Sequence, residues 1–357
     1  MIYNVIGLMS GSSLDGLDIA FVEITDVRND WSYEIKEAAC IPFEDSLRAQ
    51  LKQAAALPVP EFLRLHTRLG KWMGEQVNLF IENNQLHHKV HFIASHGHTV
   101  FHEPQNSTST QIGDGACIAA TTGLTTISDL RNMDVALGGQ GAPIVPLADR
   151  MLFKEYHFCL NIGGIANITV NTESPVAFDI SPANQLLDYY AQKMGRSYDE
   201  GGDLARSGTV NQALLQQLNA QPYYTLPAPK SLNNDFSATL HQLADASGLS
   251  SVDILATYTA HIADQVAAAM KTYPAEAGQK MLITGGGAFN SYLVEQLQTA
   301  LPDSELVVPE QALIKHKEAL AMGLMGVLRW REEHNVLSSV TGASRNSIGG
   351  AVWLGNN

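Results

Sequence analysis

The chain has 357 residues, 45% of them apolar, which is too long for one compact core and comfortable for two. Its formal net charge of −14 repels phosphate backbones and anionic lipid, so nucleic acid and membrane surfaces are excluded as partners. Cys40, Cys117 and Cys159 stand far apart without CxxC spacing, and neither a signal peptide nor a stretch of membrane-spanning length is visible; reduced thiols in the cytoplasm are expected.

Short apolar runs alternate with helical patterns from end to end, the mark of an α/β protein. Strands are predicted at 5–8, 17–24, 33–40, 90–95 and 125–128, then at 158–162, 176–180, 281–284 and 305–308. Between 60 and 83, Leu65, Leu69, Trp72, Met73, Val77 and Phe80 recur at helical spacing. Further helices are predicted over 252–270, with Ser251 and Asp253 as caps, and over 317–331, an Ala- and Met-rich stretch. Two segments, VIGLMSGSSLDGLDIAFVEI and HFCLNIGGIANITV, each read as strand, tight polar turn, strand. A glycine-rich tip lets backbone N–H groups approach an anion, and two such tips suggest two lobes, each with a phosphate-facing loop.

In the first tip, Gly11, Ser12, Ser13, Leu14, Asp15, Gly16, Leu17 and Asp18 combine hydroxyls and glycines with carboxylates able to hold Mg²⁺ through its waters. No GK[ST] follows, so this is not a Walker loop; an ordinary hairpin turn is the alternative. The run from Ser95 to His102 spaces three histidines, but no Cys, Asp or Glu stands at an offset that would complete a metal site, and strand-end polar residues lining a cleft are preferred. Arg131 follows a strand and can take a carboxylate bidentately, and the loop Gly138-Gly139-Gln140-Gly141-Ala142-Pro143 exposes backbone as ligand-facing loops do; a simple connection between lobes is the alternative. Asp179 ends a strand ahead of a helix opening near Asn184, where a general base or a helix cap would stand. Gly285, Gly286 and Gly287 form a strand-to-helix turn against which a flat group or a phosphate can lie.

Taken in order, these motifs resemble the anhydro-N-acetylmuramic acid kinase family over nearly the whole chain, from GLMSGSSLDGLD through SHGHTVFH, QIGDGA, DLRNMDVALGGQGAPIVP, NIGGIANIT, YDEGGDLARSG, PKS, ITGGGAFN and KEALAMG to SVTGAS. The resemblance implies an α/β, two-lobed actin-like ATPase fold. Each lobe would be a ribonuclease-H-like mixed sheet with flanking helices, with ATP and a small-molecule sugar in the cleft between. Residues 1–128 and 336–357 would form the first lobe and 129–335 the second. The segment from Gly11 to Asp18 would be the ATP phosphate loop with Asp15 near Mg²⁺, Asn161, Gly163 and Gly164 the second phosphate hairpin, and Gly285 to Gly287 the adenosine loop. His98, Arg131, Gly139, Gln140, Gly141, Pro143 and Glu318 would line the sugar site, and Asp179 would be the catalytic base. The implied reaction is ATP-dependent hydrolytic ring opening and 6-phosphorylation of 1,6-anhydro-N-acetylmuramic acid to N-acetylmuramic acid 6-phosphate, in cell-wall recycling. A homodimer is the assembly the resemblance suggests.

The family usually reads Asp-Thr-Gly-Pro-Gly-Asn where this chain has Asp179-Ile180-Ser181-Pro182-Ala183-Asn184, which replaces a hydroxyl by an apolar side chain and adds bulk beside the acid. Ser12 stands where Thr is usual and Phe289 where Arg is usual. These departures leave two alternatives: a kinase of a related amino sugar, or a catalytically silent cytosolic sugar sensor, the latter opposed by the intact Asp15 and Asp179.

Overall fold

The computed structural model describes residues 1–11, 14–173, 175–232, 234–273 and 278–356. The chain folds as two compact units, Met1–Leu152 with His316–Asn357, and Phe153–Lys315.

The first unit is built on a sheet of β1 (Ile2–Ser10), β2 (Gly16–Val27), β3 (Asp30–Pro42), β4 (Phe92–Glu103), β5 (Thr108–Ile112) and β6 (Thr126–Ser128), joined by the strand Ala351–Trp353. Its order is β3-β2-β1-β4-β6 and then Ala351–Trp353, with β5 paired to β4. Strands β1 and β2 are antiparallel from Ile2↔Thr25 to Met9↔Asp18, so they pair as the two arms of a hairpin, as expected. Buried residues occupy successive positions through the middle of β1 and β2 because both faces are covered. Ile6, Leu8, Leu17 and Ile19 pack with Leu65, Leu69, Met73 and Val77 of the Val59–Asn83 helix. Fully burying each of these helix residues stabilises the unit by about 1.5–3 kcal/mol. On the opposite face, a Cβ on Gly7 would fall 1.9 Å from the Ala319 carbonyl oxygen, so only glycine lets the Gln311–Trp330 helix lie this close to the strand.

The second unit carries β7 (Phe158–Ile162), β8 (Ile165–Val170), β9 (Val176–Pro182), β10 (Lys280–Thr284) and β11 (Glu305–Val307), in the order β9-β8-β7-β10-β11. Its core joins Leu160, Ile162, Phe178 and Ile283 to Leu255, Tyr258 and Ile262 of the Ser251–Lys271 helix and Leu293 and Leu297 of the Ser291–Ala300 helix. In both sheets a three-strand antiparallel meander is followed by strands parallel to its first member. That is the ribonuclease-H-like topology, present twice.

Two expectations are corrected. The cap of the Ser251–Lys271 helix is Ser250, whose side chain accepts from the Asp253 N–H, rather than Ser251. The unit bounds also differ from 1–128 with 336–357 and 129–335: residues 129–152 and 316–335 belong to the first unit. The physical reason is the Asp134 side chain, fully buried, which accepts the Thr341 hydroxyl at 2.7 Å across 207 positions of sequence. The Gln140 N–H donates to the Thr341 carbonyl at 2.8 Å, tying the same two stretches together.

Candidate active site

In the first unit, the tip of the β1–β2 hairpin is pinned from the side. Arg48 donates through Nε to the Leu14 carbonyl at 3.2 Å, and Leu14 has a left-handed φ of 59°. Ser12 and Ser13 lie outside the described residues. Asp15 is exposed, whereas Asp18 is partly buried within β2. Burial pushes the Asp18 carboxyl up to about 6; the Cys40 thiol opposes this, and the charges of Glu318 and Asp15 add to it. His316 Nδ1 lies 3.6 Å from Asp18 Oδ1.

The histidines of this strand are engaged by hydrogen bonds within the first unit. His98 Nδ1 meets the Ser10 hydroxyl at 3.0 Å, and His96 Nε2 accepts from Arg131 Nε at 2.9 Å. Burial, reinforced by the Arg131 charge, brings His96 down to about 3, so it is a neutral acceptor. Arg131 itself is lowered to about 10 by burial, against the pull of Glu318, and stays charged. Burial raises Glu318, with Lys317 and Arg131 opposing. Next to it, Lys317 Nζ lies 2.7 Å from Asp149 Oδ1, a pair buried on both sides. Arg131 and Glu318, two of the expected sugar-site residues, are thus brought within electrostatic reach of each other.

The glycine-rich loop is built around an acid that the sequence reading passed over. Asp134 accepts the Gly141 N–H at 2.7 Å through its side chain and the Gly139 N–H at 2.9 Å through its backbone. A Cβ on Gly139 would fall 2.2 Å from Asp134 Oδ2, so the loop wraps the carboxylate closely. Gly138, Gln140 and Pro143 are exposed. The sequence signal was an Asp four residues before a glycine pair, a pattern too common to single out.

In the second unit, the β7–β8 hairpin, the helix Asn184–Lys193 and the triple glycine converge. The Gly163 and Gly164 carbonyls accept the N–H groups of Asn184 and Ala183 at 3.1 and 2.7 Å, so the hairpin caps the helix start. A Cβ on Gly285 would meet Asn161 Oδ1 and the Ile162 carbonyl, each at 2.7 Å, and one on Gly287 would meet Ile162 Cγ2 at 2.3 Å. A Cβ on Gly286 would meet Asn184 Nδ2 at 3.4 Å. Gly285 is therefore required by close backbone approach and Gly287 by the Ile162 side chain, whereas a Cβ on Gly286 would make only an ordinary contact. Lys315 Nζ stands 5.9 Å from the Phe289 ring centroid, so a cation is at hand where the family's usual arginine is missing.

Asp179 lies on β9, the edge strand, and does not cap the following helix, whose N-cap is Ala183 with no side-chain bond. Instead the 222–232 segment straps it: the Asp179 N–H donates to the Lys230 carbonyl at 3.0 Å, Tyr223 donates its hydroxyl to the Asp179 carbonyl at 2.7 Å, and Asp179 Oδ2 accepts the Leu232 N–H at 2.9 Å. Lys230 Nζ closes the strap by donating to the Tyr223 carbonyl at 3.1 Å. Burial raises the Asp179 carboxyl above the usual range, opposed by the Leu232 N–H and the Ser231 hydroxyl.

A β-bulge interrupts the β8–β9 pairing, with Ala166 opposite Ser181 but Asn167 opposite Asp179. The extra residue, Ile180, is turned inward. Ile180 and Ala183 are core residues, and Ser181 meets the hydroxyl of Tyr224 at 3.3 Å, which in turn meets His261 Nε2 at 2.8 Å. The expectation that these substitutions crowd the acid is corrected: the bulge sends their bulk into the helix-facing core.

Two ribonuclease-H-like units, each opening with a glycine-rich hairpin, define an actin-like phosphotransferase class. The chain belongs to the family described as anhydro-N-acetylmuramic acid kinase, whose model matches residues 3–355. It is 35% identical to the anhydro-N-acetylmuramic acid kinase of Hydrogenovibrio crunogenus, covering 98% of this chain and 97% of that one. It is 34% identical to that of Sulfurimonas denitrificans, covering 98% of each. Among solved structures, the (R)-2-hydroxyglutaryl-CoA dehydratase component A of Acidaminococcus fermentans gives a TM-score of 0.48 at 13% identity, over 90% of this chain and 96% of that one. No helix among the described residues is long and apolar enough to cross a membrane.

Proposed function

We propose that this protein opens the bridge of 1,6-anhydro-N-acetylmuramic acid with water and transfers the γ-phosphoryl group of ATP to the freed 6-oxygen, a step of cell-wall recycling. The observation that carries this reading is Asp179, a partly exposed carboxylate held on an edge strand by a backbone N–H, in a chain matched to the family along its length. A base raised above the usual carboxylate range takes a proton from water more readily.

Asp179 takes one proton from a water whose oxygen bonds to the anomeric carbon. The bond from that carbon to the 6-oxygen breaks, and its electron pair remains on the 6-oxygen. That oxygen attacks the γ-phosphorus, and ADP leaves. The Gly11 to Asp18 tip and the Asn161, Gly163 and Gly164 hairpin offer phosphate donors; Gly285, Gly286 and Gly287 offer a flat backbone surface for adenosine. His98, Arg131, Glu318 and the 138–143 loop take the sugar, with Arg131 suited to its carboxylate.

The carboxylates of Asp15 and Asp18 fit Mg²⁺: Asp18 feels both Asp15 and Glu318 as neighbouring negative charge, which a divalent ion would relieve. Mg²⁺ commonly keeps several waters and takes one or two carboxylates with substrate phosphates, and when bound it neutralises charge developing on the transferring group. Among the described residues the cysteines form no disulfide, which suits a cytoplasmic location.

Mass spectrometry of the product from Mg-ATP and the anhydro sugar tests the reading. A sugar heavier by one phosphoryl group plus one water is expected. ADP formation with an unchanged sugar would overturn it.

A further inference from the structure

Across the strands of the second sheet runs a polar row. Thr284 of β10 stands opposite Asn161 of β7, Asn161 opposite Asn167 of β8, and Asn167 opposite Asp179 of β9. Directly opposed residues project from the same face, with Cβ atoms about 4.5–5.5 Å apart. Asn161, Asn167 and Asp179 are each partly exposed, while most of their strand neighbours are buried.

The members of the row differ in what already occupies them. Asn161 packs its side-chain oxygen against the Gly285 backbone. Asp179 gives Oδ2 to the Leu232 N–H. Among the described residues, the Asn167 amide takes no side-chain hydrogen bond. A half-buried amide in that condition is satisfied by water or by a ligand. The bulge lies immediately beside the Asn167–Asp179 pair and fixes which β9 residue the amide faces; without it, the register would offer Ile180 instead.

We propose that Asn167 is a catalytic residue whose side-chain oxygen accepts a hydrogen bond from the second O–H of the water that Asp179 deprotonates. The inference rests on the reading of Asp179 as the base. A water held by one carboxylate alone rotates about that single bond. Two acceptors on adjacent strands fix both protons and aim a lone pair outward at the anomeric carbon. One proton passes to Asp179; the other stays on the oxygen and becomes that of the new anomeric hydroxyl. Misplacing a reacting atom by about 1 Å costs on the order of a hundredfold in rate, and that sets the scale of the effect.

The experiment is steady-state kinetics on the full chain with Mg-ATP and 1,6-anhydro-N-acetylmuramic acid, comparing wild type, Asp179→Asn, Asn167→Ala, Asn167→Ser and Asn167→Asp. Asn167→Ala should lose about a hundredfold in kcat with the KM for ATP within twofold. Asn167→Ser, which keeps an acceptor, should recover part of the loss. Asn167→Asp should move the acid limb of kcat to higher pH, because a second carboxylate opposite Asp179 raises its pKa. A kcat for Asn167→Ala within threefold of wild type overturns the proposal, as does an unmoved acid limb in Asn167→Asp. Should Asn167→Ala fail to fold, the Ser and Asp variants decide alone. An inactive wild type or an active Asp179→Asn would instead sink the underlying reading. Active wild type, inactive Asp179→Asn and unimpaired Asn167→Ala would sink Asn167 only.

Discussion

The two hairpins share one topology and differ in chemistry. Around the β1–β2 tip the chain gathers charge: Asp15, Asp18, Glu318 and Arg131 influence one another, with the buried Lys317–Asp149 pair beside them. Around Asp179 on the neighbouring strand the polar groups are amides and tyrosine hydroxyls, with the Lys230 ammonium in the strap. A fold used twice can thus separate two tasks: clustered carboxylates suit a polyanion with its counter-ion, and an acid on which burial and hydrogen bonds act, rather than other carboxylates, keeps a distinct pKa.

Removing the Asp179 carboxylate breaks that contrast most sharply. Asp179→Asn should lower kcat about a thousandfold while leaving ATP affinity near normal, as measured by turnover and calorimetry. Lys317→Met tests the charged side. It leaves Asp149 buried without its cation and should cost about 3–5 kcal/mol of stability, read by urea unfolding. A subtler probe is Ser231→Ala. The Ser231 hydroxyl lowers the Asp179 pKa, so its loss raises that pKa; the base must be ionised to act, and the acid limb of the rate profile should therefore move to higher pH. The smallest effect belongs to Ile180→Thr, which restores the family's usual residue. Because Ile180 faces the core, the change should leave kcat and sugar preference within twofold and cost about 1–2 kcal/mol for burying a hydroxyl. A marked change in sugar preference would show that residue 180 reaches the substrate after all.

Much of this was readable from the chain. Both hairpins showed because glycine-rich turns separated apolar runs, and the Val59–Asn83 helix showed because Leu65, Leu69, Met73 and Val77 are spaced by four. The roles of Asp179 and Glu318 came from resemblance. What escaped was whatever depends on pairing between distant segments. The bulge at Ile180 has no local signal, so the side to which Ile180 and Ser181 turn could not be read, nor the placing of Asn167 beside Asp179. Asp134 escaped for the same reason: its partner Thr341 is 207 positions away. Ser250 was passed over as a cap because Ser251 beside it offers the same chemistry.

The strap over β9 has one more consequence. An edge strand normally presents unpaired N–H and C=O groups to any other chain that comes near. Here the 222–232 segment occupies part of that rim, and it carries Pro222, Pro227 and Pro229, none of which has an N–H to offer outward. A newly made chain that closes this strap hides a sticky border behind one that recruits strands poorly. The segment that steadies Asp179 would then also guard against aggregation.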